Sequence, residues 1–182
     1  MTTTEIIRKN LFPNARCVQS GAQPAEIIDG DVMWRWGDRN GFLLKTTSNT
    51  AGAYARFDVA GLEPLAEYVL AVEAGWSAET DKARGPIVSV NNDDAANTTI
   101  VGDTDTRPEA RQRLLRFTAP QDGHVRVCFR GPVELDGQIA FYDIQLELAS
   151  TFDPATAGGG FAFSSGTPCR ETERNCRAGG AR

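Results

Sequence analysis

Apolar and polar positions alternate through residues 138–150 (QIAFYDIQLELAS), with Tyr142, Ile144, Leu146 and Leu148 on one side and Asp143, Gln145 and Glu147 on the other. A repeat of two is that of a half-buried β-strand, whereas a helix would scatter the same four apolar residues around its circumference. EYVLAVEAGW repeats the pattern, lining one face with Tyr68, Leu70, Val72, Ala74 and Trp76. AYARFDV (53–59) and HVRVCFR (124–130) are shorter versions. In the latter Val125, Val127 and Phe129 form the inward set, and Cys128 shares the other face with Arg126 and Arg130.

Turn signals separate these runs. NLFPNARCVQS (10–20) reads as an extended opening segment, with Pro13 confined to an edge or bend. DGD at 29–31 is a turn, and Met33, Trp34 and Trp36 then lie on a strand that turns at residues 37–41 into a second strand beginning at Phe42. Residues 61–64 turn the chain again, 77–85 form a polar loop, and PIVSV (86–90) is a short strand. Residues 91–107 are a long polar stretch broken only by Ile100 and Val101, and loops of that length carry function or disorder. RQRLLRFTA (111–119), the turn PQDG (120–123) and residues 124–130 are expected to form a hairpin. About eight short strands, with no helical pattern longer than a turn or two, predict an all-β antiparallel sandwich, by strand number a jelly roll. It should occupy residues 1–150, with 151–182 an extended C-terminal arm.

The 182 residues suffice for one domain with a core plus an appendage. A formal charge of -5, with basic residues interleaved among acidic ones, argues against a nucleic-acid partner. No apolar run approaches the ~20 residues that span a bilayer, so no membrane partner is expected either, and the opening residues lead to the expectation of synthesis in a cytoplasm. Cys17, Cys128, Cys169 and Cys176 are too far apart for a C-x-x-C pair and have only His124 as an imidazole partner. Reduced thiols are therefore expected rather than zinc.

Trp34 and Trp36 flank Arg35 and have two readings, a flat platform for a sugar ring or part of the core; Trp76, on the inward set, reads as core. His124 follows a turn glycine with neither Gly-x-Ser-x-Gly nor a Cys-His arrangement nearby, which makes it a solvated turn residue. Asp93, Asp94, Asp103 and Asp105 suit a cation or a glycosidase acid pair on paper, but nothing beside them in sequence would raise a carboxyl pKa, so a solvated loop is expected. No catalytic residue is assigned, and the chain is not expected to be an enzyme. Phe152, Phe161 and Phe163 are too few for a core of their own, and beyond the hinge at 158–160 Arg170, Arg174, Arg177 and Arg182 outnumber Glu171 and Glu173. Together they predict an assembly arm docked on a neighbouring acidic chain, most simply within a closed homo-oligomer such as a trimer.

Asn10-Leu-Phe-Pro-Asn14, Gly61-Leu-Glu-Pro64, Phe117-Thr-Ala-Pro-Gln-Asp-Gly123 and Phe141-Tyr-Asp-Ile-Gln-Leu-Glu147 stand in the order of the landmarks of carbohydrate-binding-module-like (galactose-binding-like) jelly rolls, which this chain resembles over residues 8–150. Thr151-Phe-Asp-Pro154, Phe161-Ala-Phe163 and Gly166-Thr-Pro-Cys169 resemble the continuation found in minor tail proteins of phages that infect actinobacteria. The resemblance implies a virion structural protein, a minor tail or decoration protein attached to other virion proteins. The alternative it implies is a module that recognises host surface glycan during adsorption; a glycoside hydrolase is the remaining, enzymatic, class. It also implies a structural calcium held by an early carboxylate and an aspartate of the last strand. Cys17 and Val18 stand where the first is looked for, so Asp143 alone remains as a metal candidate.

Overall fold

Strand alternation sorts side chains to two sides, and two sheets that each have one apolar side hide them against each other. The computed structural model describes residues 7–34, 39–48, 52–76, 86–103, 111–157 and 169–170. Its first sheet runs in the order β2 (Glu26–Ile28), β5 (Tyr54–Val59), β10 (Val125–Arg130), β7 (Val88–Asn92), β8 (Thr99–Asp103). The second runs β3 (Gly30–Trp34), β4 (Gly41–Thr46), β11 (Gln138–Leu148), β6 (Glu67–Trp76), β9 (Arg111–Thr118). All pairings are antiparallel. A short helix α1 (Ala149–Thr156) follows β11, and β12 (Cys169–Arg170) pairs with β1 (Ile7–Arg8). The expected sandwich is thus observed, with ten strands in its two sheets rather than about eight.

Phenylalanines fill the space between the sheets. Phe42 meets Phe129 edge-on at 5.1 Å and Phe141 at 5.2 Å, while Phe12 from the opening segment packs on Phe57 at 4.9 Å. Tyr68, Leu70, Val72 and Ala74 of β6 and Val125, Val127 and Phe129 of β10 face this core, as their alternation predicts.

Three local readings need correction. Residues 111–130 are not a hairpin, because β9 belongs to the second sheet and β10 to the first. The PQDG turn instead carries the chain across the sandwich. Gly123 serves it at φ +67 with its N–H donating to the Pro120 carbonyl at 3.0 Å, and a Cβ there would lie 2.3 Å from the Leu62 carbonyl oxygen. The polar stretch after residue 91 is also not all loop: β8 pairs with β7, leaving residues 93–98 as the connection of an edge hairpin.

The third correction concerns β11. Ile139 and Phe141 face the core, and so do Ile144 and Leu146, so the inward parity changes within the strand. The register against β6 shifts between Tyr142 and Gln145, with Asp143 at φ +49 in the extra position of a bulge. Phe141, not Tyr142, is the inward residue. The Asn10 amide repairs the ladder there, donating to the Ile144 carbonyl at 2.8 Å and accepting from the Leu146 N–H at 3.0 Å. Gln145 and Glu147 point away from the core yet are 0% exposed, so this part of β11 is buried on both faces rather than half-buried. Arg8 and α1 cover it: Arg8 donates to Glu147 at 2.9 Å, Gln145 donates to the same carboxylate at 2.9 Å, and Phe152 packs with Val69 and Ala71.

Candidate functional site

Of the two readings open for Trp34, platform or core, its contacts are with the core. Trp34 packs its ring on Phe42 at 5.6 Å and Phe57 at 6.2 Å, and its indole N–H donates to Gln23 at 3.2 Å. It flanks the core and shows only part of its ring to solvent. Arg35 and Trp36 lie outside the described residues, as do Phe161, Phe163, Arg174, Arg177 and Arg182. In the segment expected to be an arm, residues 151–156 are helical and Phe152 is buried on the chain's own β6 rather than offered to a neighbour. Its burial follows from Val69 and Ala71, small apolar residues on the outward side of β6 that need a cover. Arg170 pairs by backbone with Ile7.

Asp143 is engaged by an arginine. The Arg39 guanidinium donates to both Glu73 oxygens, at 2.8 and 2.7 Å, reaches Asp143 as well, and lies 4.6 Å from the centre of the Tyr142 ring. Hydrogen bonding to Arg39 holds the Glu73 carboxyl below its usual pKa. Cys17, at φ +47, is fully buried, and burial with the nearby charge of Asp143 pushes its thiol up to about 12. A protonated thiol and a carboxylate already paired to a guanidinium do not make the shell of six to eight oxygens that calcium takes. Among the described residues no three acidic, cysteine or histidine side chains gather as a metal cluster.

The loop acids are likewise committed. Asp93 pairs with Arg126 at 2.5 Å and Asp103 with Arg113 at 2.9 Å, while Asp94 accepts the Thr98 N–H at 3.0 Å, which holds its carboxyl below its usual pKa. His124 is exposed on its turn, 3.9 Å from Asp93. Asp105 lies outside the described residues.

The two sheets differ on their outer faces. The second sheet carries α1 and the Arg8 strand on part of its outer face, whereas no described helix packs on the first. Strand register builds the outer face of the first sheet in rows, whose Tyr54, Ser89, Asn91 and Cys128 are buried. Asp58, Arg126 and Asn91 stand side by side; the next row is Glu26, Arg56, Cys128, Ser89 and Gly102; the third is Ile28, Tyr54 and Arg130. Arg56 pairs with Glu26 and Asp58, both at 3.0 Å. Arg126 also holds the 93–98 connection against the face, donating to the Asp94 carbonyl at 2.7 Å.

Beneath that connection lies a polar network. Asn91 donates to the Asn97 carbonyl at 2.8 Å, Asn97 donates to the Tyr54 hydroxyl at 3.2 Å, and the hydroxyl contacts the Cys128 sulfur at 3.0 Å. Burial raises the pKa of the Tyr54 hydroxyl to about 12 and lifts that of the Cys128 thiol, so both stay protonated. The side-chain carbonyls of Asn91 and Asn97 and the Nε of Arg126 are buried without a hydrogen-bond partner. Alternation placed Arg126, Cys128 and Arg130 together, but nothing in the sequence joined them to Tyr54, Asn91 and Asn97, which only the pairing of β5, β10 and β7 brings alongside.

A concavity of ~310 Å³ is lined by Asn10, Phe12, Asn14, Arg16 and Gly21 among others. Its amides are already engaged: Asn14 donates to the Val18 and Ala22 carbonyls at 3.0 and 3.1 Å, and Asn10 bonds to β11.

No family model matches the chain, and no curated protein matches it. Among solved structures it is similar to the second N-terminal cellulose-binding domain of Cellulomonas fimi β-1,4-glucanase C, at 18% identity over 78% of this chain and 95% of that one, with a TM-score of 0.51. The N-terminal cellulose-binding domain of the same enzyme aligns at 19% identity over 67% and 86%, TM-score 0.48. A family 29 carbohydrate-binding module aligns at 10% identity over 81% and 89%, TM-score 0.45. The first of these supports the fold: the chain is an all-β, antiparallel jelly-roll sandwich.

Proposed function

We propose that the chain binds glycan, without turning it over, on the outer face of the β2-β5-β10-β7-β8 sheet. The observation that carries this reading is the outer face of this sheet, where the Arg130 guanidinium lies against the Tyr54 ring and half-exposed Ile28 stands in the same row. Sugar hydroxyls accept from arginine N–H donors, and Ile28 offers apolar surface to the C–H side of a sugar ring. The cellulose-binding function named for the similar Cellulomonas fimi domains agrees with this reading. Binding without hydrolysis is supported by the described acids of this face, Glu26, Asp58, Asp93 and Asp94, each held by an arginine or a backbone N–H.

A glycan array on the wild-type protein, followed by titration of whatever binds, tests the proposal. Arg126→Ala, which frees the 93–98 connection, is expected to weaken binding by about tenfold or more, or ~1.4 kcal/mol. Trp34→Ala is expected to bind normally and melt early, because its ring supports the core. Loss of binding in Trp34→Ala with none in Arg126→Ala would return the site to the tryptophan edge.

The ordered landmarks through Cys169 support a second, compatible reading: a minor tail or decoration protein held by other virion proteins, in a closed homo-oligomer such as a trimer, whose open face meets host surface glycan. Removing residues 158–182, which leaves α1 in place, should abolish incorporation into particles. Normal incorporation would end the virion-arm reading.

A further inference from the structure

We infer that the glycan bound on this face carries an acidic group, and that Arg130, braced on Tyr54, reads it. The inference rests on the binding proposal above and deepens it. Among the described residues three arginines stand on the face. Arg56 is neutralised by Glu26 and Asp58, and Arg126 by Asp93. Arg130 has no carboxylate within ion-pair distance among the described residues; its guanidinium lies 5.1 Å from the centre of the Tyr54 ring.

That ring is itself fixed, 7% exposed and hydrogen-bonded to Asn97, and the backbone of Arg130 is anchored by its N–H to the Ile87 carbonyl at 2.9 Å. A guanidinium held against an aromatic ring keeps its planar fork of N–H donors free at the edge, the arrangement that grips a carboxylate or sulfate through two hydrogen bonds. Bracing removes much of the rotamer entropy an arginine otherwise loses on binding. The acids nearest in the rows are spent on the other two arginines, so an incoming anion meets a cation that no described carboxylate compensates. The net charge of -5 opposes this only weakly, since charges beyond ~8–10 Å are screened at physiological salt. Ile28 in the same row then receives the apolar side of the sugar.

The test takes a glycan that the wild-type protein binds on the array and compares it with two treated forms. Carboxyl reduction converts uronic acids to neutral sugars, and solvolytic desulfation removes sulfate. One treatment is expected to weaken wild-type binding by about tenfold or more, and which one tells carboxylate from sulfate. Arg130→Gln should show the same loss toward the untreated glycan, a flattened salt dependence, and a melting temperature within about 4 °C of wild type, because no ion pair is broken and only the contact with the Tyr54 ring is lost. Equal affinity for untreated and treated glycans, or unchanged affinity in Arg130→Gln, overturns the inference while leaving glycan binding standing. No binding to any glycan overturns the parent reading and this one with it.

Discussion

Arg8→Ala is expected to cost about 3–5 kcal/mol of folding stability, a large share of the ~5–15 kcal/mol by which most domains are stable. The Arg8 side chain is 7% exposed and that of Glu147 1%, and their contact at 2.9 Å closes the outer face of the second sheet beneath α1. The attraction of such a pair does little more than offset its desolvation, so the cost lies in what remains. Without Arg8, the Glu147 carboxylate keeps only Gln145 among the contacts described for it here and sits in a place built to exclude water. Chemical denaturation reads the loss directly. The double substitution Arg8→Met with Glu147→Leu, which removes both charges and keeps volume, should recover most of it. A single variant losing under ~1 kcal/mol would show that the pair is solvated and that α1 is not a fixed cover.

Phe42→Ala should be comparably severe, at about 3–5 kcal/mol. Phe42 is 0% exposed and its ring meets Trp34, Phe57, Phe129 and Phe141, joining β3, β4 and β11 of one sheet to β5 and β10 of the other. Truncation therefore opens a cavity bounded by both sheets, which neither can close without the other shifting. Because Trp34 loses its nearest aromatic support, the native tryptophan emission should move to the red as stability falls. A stable Phe42→Ala protein with unchanged emission would contradict the placement of Trp34 against this core.

These two sites also show what the sequence made legible. Val125, Val127, Phe129 and the β6 set announced their inward face because a period of two has one meaning when a single face is buried. The same rule failed in β11, where one extra residue at Asp143 reverses the parity, and pattern reading carries no signal for a bulge whose extra residue is not glycine. Gln145 and Glu147 looked like solvent-facing residues because polarity is a guide to exposure only until a distant partner arrives, and Arg8 lies 139 positions away. The PQDG turn was visible as a turn, but a turn's residues do not say which sheet receives the next strand. The candidate site suffered most from this limit. Its members come from β2, β5, β7 and β10, and tryptophan drew attention by its chemistry while Tyr54, Asn91 and Asn97 drew none.

The central claim, that glycan is held on the outer face of the first sheet, is tested most directly by mapping amide shifts in the NMR spectrum as a glycan from the array is titrated in. The account predicts shifts concentrated at Tyr54, Arg56, Ser89, Asn91, Asn97, Arg126 and Arg130, with Leu43, Val69 and Ala71 of the second sheet unmoved. Shifts gathered instead around Trp34 and residues 10–23, with the β5-β10-β7 rows silent, would contradict it.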